Sequence, residues 1–213
     1  AAEVRTATMK RRGEMGGYRF VKRAVDVVGS VVLLMLLSPV LVLVALAVRF
    51  DSPGRVLHVQ QRTGRHGQRF AMYKFRTMVR NAEELKASLQ HLSIVPYPDF
   101  KVLDDPRITR VGRVLRATSL DELPQLLNVL LGNMSLVGPR PTSFDSSTYL
   151  LWHTRRLEVR PGMTGLWQVM GRNEATFDQR LRLDVRYIDH CCLPVDLWIL
   201  GATVRAVVGR SGR

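Results

Sequence analysis

Residues 27–48 read VVGSVVLLMLLSPVLVLVALAV, 22 residues without a charge. As a helix this stretch measures roughly 33 Å, enough to cross the hydrocarbon core of a bilayer. It lies too far from the N-terminus, and lacks the small-residue cleavage site, to be an ordinary signal peptide. Ser38-Pro39 sits at its middle. Pro39 has no N–H, so the Met35 carbonyl loses its helical partner and a break is predicted there. The Ser38 hydroxyl is positioned to satisfy a freed backbone group. Both flanks are cationic: Arg19, Lys22 and Arg23 precede the stretch, and Arg49, Arg55, Arg62 and Arg65 follow it. The positive-inside rule therefore gives a spanning helix no orientation. On physics alone a spanning helix and a re-entrant helix-break-helix stay level, with a buried soluble helix a distant third.

The remaining composition limits the function classes. The chain has 213 residues, enough for one domain with a core. Its net charge is +14, from 32 Lys+Arg against 18 Asp+Glu. Arginine dominates the excess and suits phosphate, whether on nucleic acid, lipid or a metabolite. A nucleic-acid binder is disfavoured, because it leaves the apolar stretch unexplained and no stacking motif or zinc spacing is present. Cys191 and Cys192 are adjacent and read as packing residues of a cytosol-facing chain. The histidines (58, 66, 91, 153, 190) show no metal spacing. Residues 1–17, with Lys10-Arg11-Arg12, read as a disordered basic lead-in. The expected domains are this lead-in, a membrane helix over 18–50, and a membrane-associated domain over 51–213.

The fold expected beyond the membrane helix is α+β and mostly helical. Arg55–Gln61 and Arg69–Thr77 flank Gly64-Arg65-His66-Gly67 and predict a β-hairpin. Tyr73-Lys74-Phe75-Arg76 places the two cations on one strand face. Residues 80–91 predict a short amphipathic helix. Arg107, Arg110, Arg113 and Arg116 recur every third residue with apolar residues between, a cationic helix face suited to anionic lipid. Thr176-x-x-Gln179 is a capping box opening a helix with the stripe Phe177, Leu181, Val185 and Ile188. A last helix, about 195–208, is apolar but carries Asp196 and Arg205.

The chemistry concentrates in SLDELPQLLNVLLGNMSLVGPRP, residues 119–141. One reading makes Ser119 and Glu122 a capping box. Pro124 then falls where a missing donor begins to matter, and it fits the first helical position better. That leaves Asp121 and Glu122 at the helix mouth, with carboxylates free to meet a ligand. An ionised Asp is a nucleophile toward phosphorus and a magnesium ligand. Arg140, between Pro139 and Pro141, is a restrained guanidinium for phosphate. Arg160-Pro161-Gly162 and Gly171-Arg172-Asn173 are weaker cases of the same kind.

Several motifs occur together in order: FVKRAVDVVGS (20–30), the Ser38-Pro39 break, YKFRTM (73–78), DDPRITRVGRVLRATSLDELPQLLNVL (104–130), MSLVGPRP (134–141), VRPGMTGLWQVMGRN (159–173) and LDVRYID (183–189). This arrangement resembles the bacterial sugar transferases, monotopic polyprenol-phosphate phosphoglycosyl transferases, over nearly the whole chain. The wording is closest to the larger subfamily that transfers a hexose-1-phosphate. Asn133, where the family usually has an acid, and Met170, where it often has Ser or Asn, depart from the pattern. Larger members usually carry a further N-terminal region, so a truncated or naturally minimal form is expected.

The resemblance implies transfer of a sugar-1-phosphate from a UDP-sugar to undecaprenyl phosphate. UMP is released, at the cytoplasmic face of the bacterial inner membrane, and surface-glycan assembly begins. It implies a re-entrant helix broken at Ser38 and Pro39. Asp121 would be the nucleophile that carries a covalent phosphosugar, and Glu122 would hold Mg2+ with it. Arg116 and Arg140 would contact phosphate; Arg160, Gln168 and Asp184 fall on the nucleotide-sugar side. Lys22 and Arg23 would meet membrane lipid headgroups. Homo-oligomerisation is left open. The alternatives are a non-catalytic basic membrane-surface scaffold and a glycosyltransferase that releases UDP.

Overall fold

The computed structural model describes residues 2–94, 100, 102–143, 151–170 and 176–209, except the side chains of 2–15, 151 and 208. Helix α1 runs from Ala2 to Asp51. The expected lead-in over 1–17 falls mostly on residues whose side chains lie outside this description. The helix continues through Pro39, where the sequence predicted a break. Ser38 Oγ donates to the Met35 carbonyl at 2.8 Å, serving the group that Pro39 cannot reach. Large apolar side chains along α1 stay exposed, among them Phe20, Val28, Met35, Leu36, Leu43 and Phe50.

Both ends of the apolar stretch are tied to one folded unit. Near its start, Arg23 donates to the Val129 and Leu130 carbonyls at 2.6 and 2.8 Å. These carbonyls close α4 (Gln125–Leu130), where a cation is favoured. Asp26 accepts from Ser135 Oγ at 3.0 Å and Leu136 N at 2.9 Å. Near the other end, Asp51 accepts from Val111 N at 3.1 Å, in the first turn of α3 (Arg110–Thr118). Arg76 donates to the Ser52 carbonyl at 2.7 Å and also bonds the Pro53 carbonyl. Val44 and Val48 pack there against Phe75 and Leu115.

The predicted hairpin is present. Strands β1 (Leu57–Thr63) and β2 (Arg69–Phe75) pair antiparallel, Leu57 opposite Phe75 and Thr63 opposite Arg69. The turn puts His66 and Gly67 at φ 57° and 77°. A second pair, β3 (Ser135–Val137) parallel to β4 (Gly162–Thr164), was not anticipated. Met72, Leu126, Met134, Val137, Tyr187 and Ile199 form the core between these strands and the helices. The helix expected over 80–91 shortens to α2 (Glu84–Ser88). After α5 (Leu166–Met170), α6 (Phe177–His190) opens with its capping box: Thr176 N donates to Gln179 Oε1 at 2.8 Å. Helix α7 (Leu193–Val208) buries Ile199 and exposes Leu197, Trp198 and Val204.

The four-arginine face is corrected by the structure. Arg107 lies before α3, buried, its guanidinium forked on Asp105 at 2.6 and 2.9 Å. Arg116 donates to Thr77 Oγ1 at 2.9 Å. Arg110, Arg113 and Arg116 are all exposed on α3, so the cationic face keeps three of its four members and loses Arg107. The helix approaches β2's extension so closely that a Cβ on Gly112 would lie 2.1 Å from the Thr77 carbonyl oxygen. Gly112→Ala is expected to cost about 3 kcal/mol by overpacking, read as a lower Tm in detergent.

Asp196, the acid inside apolar α7, is a buried hub. It accepts from Tyr18 OH at 2.9 Å, Lys22 Nζ at 2.8 Å and Tyr187 OH at 2.7 Å. It thereby joins α1, α6 and α7.

Candidate active site

Ser119, at φ 59°, ends α3 in the left-handed region. A tight turn over Leu120–Glu122 follows, and Pro124 leads directly into α4. Asp121 and Glu122 therefore stand before the helix, as the proline position predicted. The capping-box alternative is not used: Ser119 makes no side-chain cap bond. Glu122 turns instead to two cations. Lys74 Nζ lies 2.8 Å from Oε1, and Arg140 forks across both oxygens, with Nη1 at 3.1 Å from Oε2. Asp121 is nearly buried, and among the described residues it has no hydrogen bond or ion pair.

Asp121 lies in an open cleft of about 1350 Å³, with Lys74, Arg116, Arg140, Arg156 and Arg180 also on its walls. The two neighbouring acids are driven apart. Burial raises the Asp121 carboxyl, with Lys74, Arg116 and Arg140 opposing. Burial would raise Glu122 too, but Arg140 and Lys74 hold it below the usual carboxylate range. Adjacent groups with separated pKa values take different roles. If Asp121 serves as a nucleophile it must be ionised, and kcat/KM should then fall on acidification with a midpoint above Asp's ordinary 3.8. Lys74→Gln removes a charge that favours the carboxylate and should move that midpoint higher. A pH–rate profile of both proteins checks this.

Arg140 is held by the fold. Gly138 N donates to Thr164 O at 2.9 Å and Gly162 N to Pro139 O at 2.8 Å, so the Gly-Pro-Arg-Pro turn is laced to β4. A Cβ on Gly138 would lie 2.5 Å from the Arg160 carbonyl oxygen. Arg156 donates to the Arg140 carbonyl at 2.6 Å and to Asp184 at 2.7 Å. The result is a relay from Asp184 through Arg156 and Arg140 to Glu122.

Of the residues expected to act here, Asp121, Arg116, Arg140 and Asp184 line the cleft, with Glu122 directly behind it. Asp184 serves through Arg156. Gln168 turns away and donates to the Met163 carbonyl at 3.1 Å. Arg160 lines a different pocket, beside the start of α1. Lys22 and Arg23 are taken up by Asp196 and the end of α4. Ser38 and Pro39 stay exposed on α1. Gly171-Arg172-Asn173 lies outside the described residues. Lys74 and Arg156 received no role in the sequence reading. The Tyr-Lys-Phe-Arg alternation was the one signal for Lys74.

The donor set fits magnesium in one way. Both Glu122 oxygens are engaged by Lys74 and Arg140, and among the described residues no three acidic, His or Cys side chains converge. Asp121 is the carboxylate of the pair with no partner among the described residues, and a magnesium held there would need further oxygens from a ligand.

Comparison with known proteins agrees with the motifs. The profile of the family described as bacterial sugar transferase matches residues 17–210. The undecaprenyl-phosphate galactose phosphotransferase of Salmonella typhimurium is 46% identical over 199 residues, covering 91% of this chain and 42% of that protein. The UDP-glucose:undecaprenyl-phosphate glucose-1-phosphate transferase of Caulobacter vibrioides is 43% identical, covering 88% and 69%. The exopolysaccharide production protein ExoY of Rhizobium meliloti is 41% identical, covering 87% and 84%. The chain thus spans less than half the length of the Salmonella relative but most of the Rhizobium one. The chain belongs to the bacterial sugar transferase family.

Proposed function

We propose that the chain transfers a hexose-1-phosphate from a UDP-sugar to undecaprenyl phosphate, releasing UMP and initiating surface-glycan assembly. The observation that carries this reading is the contrast at 121–122: one carboxylate is free in a cationic cleft, and its neighbour is locked between Lys74 and Arg140. The names of the relatives point to the same reaction and to hexose donors.

In the first step Asp121 attacks the β-phosphorus of the donor. The bond to the α-phosphate oxygen breaks and UMP leaves with that electron pair. In the second step an oxygen of undecaprenyl phosphate attacks the same phosphorus. The bond to Asp121 breaks and the carboxylate is regenerated. Two displacements spare the donor and acceptor phosphates from meeting. Lys74, Arg116 and Arg140 offset the charge of an anion attacking a diphosphate. Glu122, held well below its usual range, is a poor base; it fixes the two cations that face the phosphates. Magnesium bound with the diphosphate would neutralise further charge on its oxygens.

The reading includes a re-entrant α1 at the cytoplasmic face of the inner membrane. Anchors at both ends of the apolar stretch support it. In a spanning helix the two ends would stand at opposite surfaces of the bilayer, and one polar domain would not be bonded to both across the hydrocarbon core. The exposed apolar residues of α7 supply a second surface for lipid.

The test uses detergent-solubilised protein, magnesium, undecaprenyl phosphate and a panel of UDP-sugars. UMP release is expected, and a hexose-phosphate mass increment on the intact chain when the acceptor is withheld. Release of UDP would make it a plain glycosyl transfer. No nucleotide release with any donor would favour the scaffold alternative.

A further inference from the structure

A second pocket, of about 300 Å³, opens beside the start of α1, apart from the Asp121 cleft. Three arginines from separate parts of the chain line it: Arg19 on α1, Arg65 in the hairpin turn and Arg160 just before β4. Arg65 Nε is pinned by the Glu158 carbonyl at 3.2 Å. The other charges on its wall are already committed. Lys22 is paired with Asp196, Arg23 with the α4 carbonyls, and Asp26 with Ser135 and Leu136. The Glu158 carboxylate lies 3.7 Å from Arg155. No carboxylate therefore answers Arg19, Arg65 and Arg160 among the described residues. Burial and the charges of Arg19 and Arg160 push the Arg65 guanidinium below its ordinary value, although arginine keeps its charge. Apolar walls come from Val137, Val159 and Phe20, and Phe20 is 78% exposed at the edge of the apolar surface of α1. Three like charges converging on an amphipathic pocket leave an anion unaccounted for.

We propose that Arg19, Arg65 and Arg160 form a binding site for a phosphate group, separate from the catalytic cleft. Planar guanidiniums suit phosphate oxygens, and the apolar wall suits the glycerol or acyl part of a lipid. The phosphate arrives either on an anionic lipid headgroup or on a soluble phosphate compound. Arg160 thereby moves from the nucleotide-sugar side, where the sequence placed it, to the membrane side. The headgroup role expected of Lys22 and Arg23 passes to Arg19 and Arg65.

The test measures dissociation constants for the full chain in neutral detergent, with dioleoyl-phosphatidylglycerol, dioleoyl-phosphatidylcholine and inorganic phosphate as separate probes. The expected result is saturable binding of phosphatidylglycerol. Arg19→Gln and Arg160→Gln should each weaken it about fivefold. Phosphatidylglycerol binding without inorganic phosphate binding assigns the lipid source; equal binding of both, lost together in the variants, assigns a soluble phosphate. Asp121→Asn should bind phosphatidylglycerol as the wild type does, since its carboxylate lies in the other cleft. Arg19 is exposed, so its substitution reports on binding even if Arg160→Gln folds poorly. Unchanged affinity in Arg19→Gln, equal retention of phosphatidylcholine and phosphatidylglycerol, or no saturable binding of any probe would overturn the site.

Discussion

Asp121→Asn is expected to lower UMP release at least about 10,000-fold, the scale seen when a nucleophile is removed from a covalent mechanism. Two further results should accompany the loss. UDP should bind at least as tightly to the variant, because a negative charge leaves a cleft lined with Lys74, Arg116 and Arg140. The variant should also be as stable as the wild type, or more so. Burial raises the folded Asp121 pKa, so at neutral pH the ionised carboxylate costs stability, and that cost is relieved as pH falls through the folded pKa. The amide avoids it at every pH. Catalytic sites commonly hold such a cost. If these acids served only as helix caps, the same substitution would lower Tm. UMP release, UDP binding and thermal melts on one preparation separate the two roles.

The largest stability effect is expected at Asp196. Asp196→Ala leaves Tyr18, Tyr187 and Lys22 without the acceptor they share. Removing one partner from a buried ion pair costs about 3–5 kcal/mol. For a chain of this size that is about a 10 °C fall in Tm. Asp196→Asn keeps an acceptor oxygen and should fall by less than half as much. A melt of Asp196→Ala within 2 °C of wild type, by the same scale, would mean that the hub does not join the helices as described.

The local features of this fold were legible. The hairpin followed from β-formers around Gly64–Gly67, the α6 start from Thr176 and Gln179, and the site position from Pro124. These signals lie within a few residues of what they control. The failures came from partners elsewhere in the chain or from competing local bonds. The regular spacing of Arg107 with Arg110, Arg113 and Arg116 hid the nearer attraction of Asp105. Pro39 did not end α1, because Ser38 served the orphaned carbonyl. Lys74 meets Glu122 across 48 residues and Arg156 meets Asp184 across 28, and no periodicity encodes such pairs. Lys22 and Arg23 read as headgroup ligands because their partners, Asp196 and the end of α4, lie 174 and 106 residues away.

The anchors of α1 also impose a schedule on the ribosome. The partners of Arg23, Asp26 and Asp51 are all translated after the apolar stretch, and the last of these, Leu136, follows Asp26 by 110 residues. At 5–20 residues per second Asp26 waits roughly 5–20 s for that partner. For most of that interval the helix is an apolar rod whose tethers are incomplete. The making of the helix and the closing of its two ends are therefore separate events in time, and the second waits on synthesis of the domain's middle.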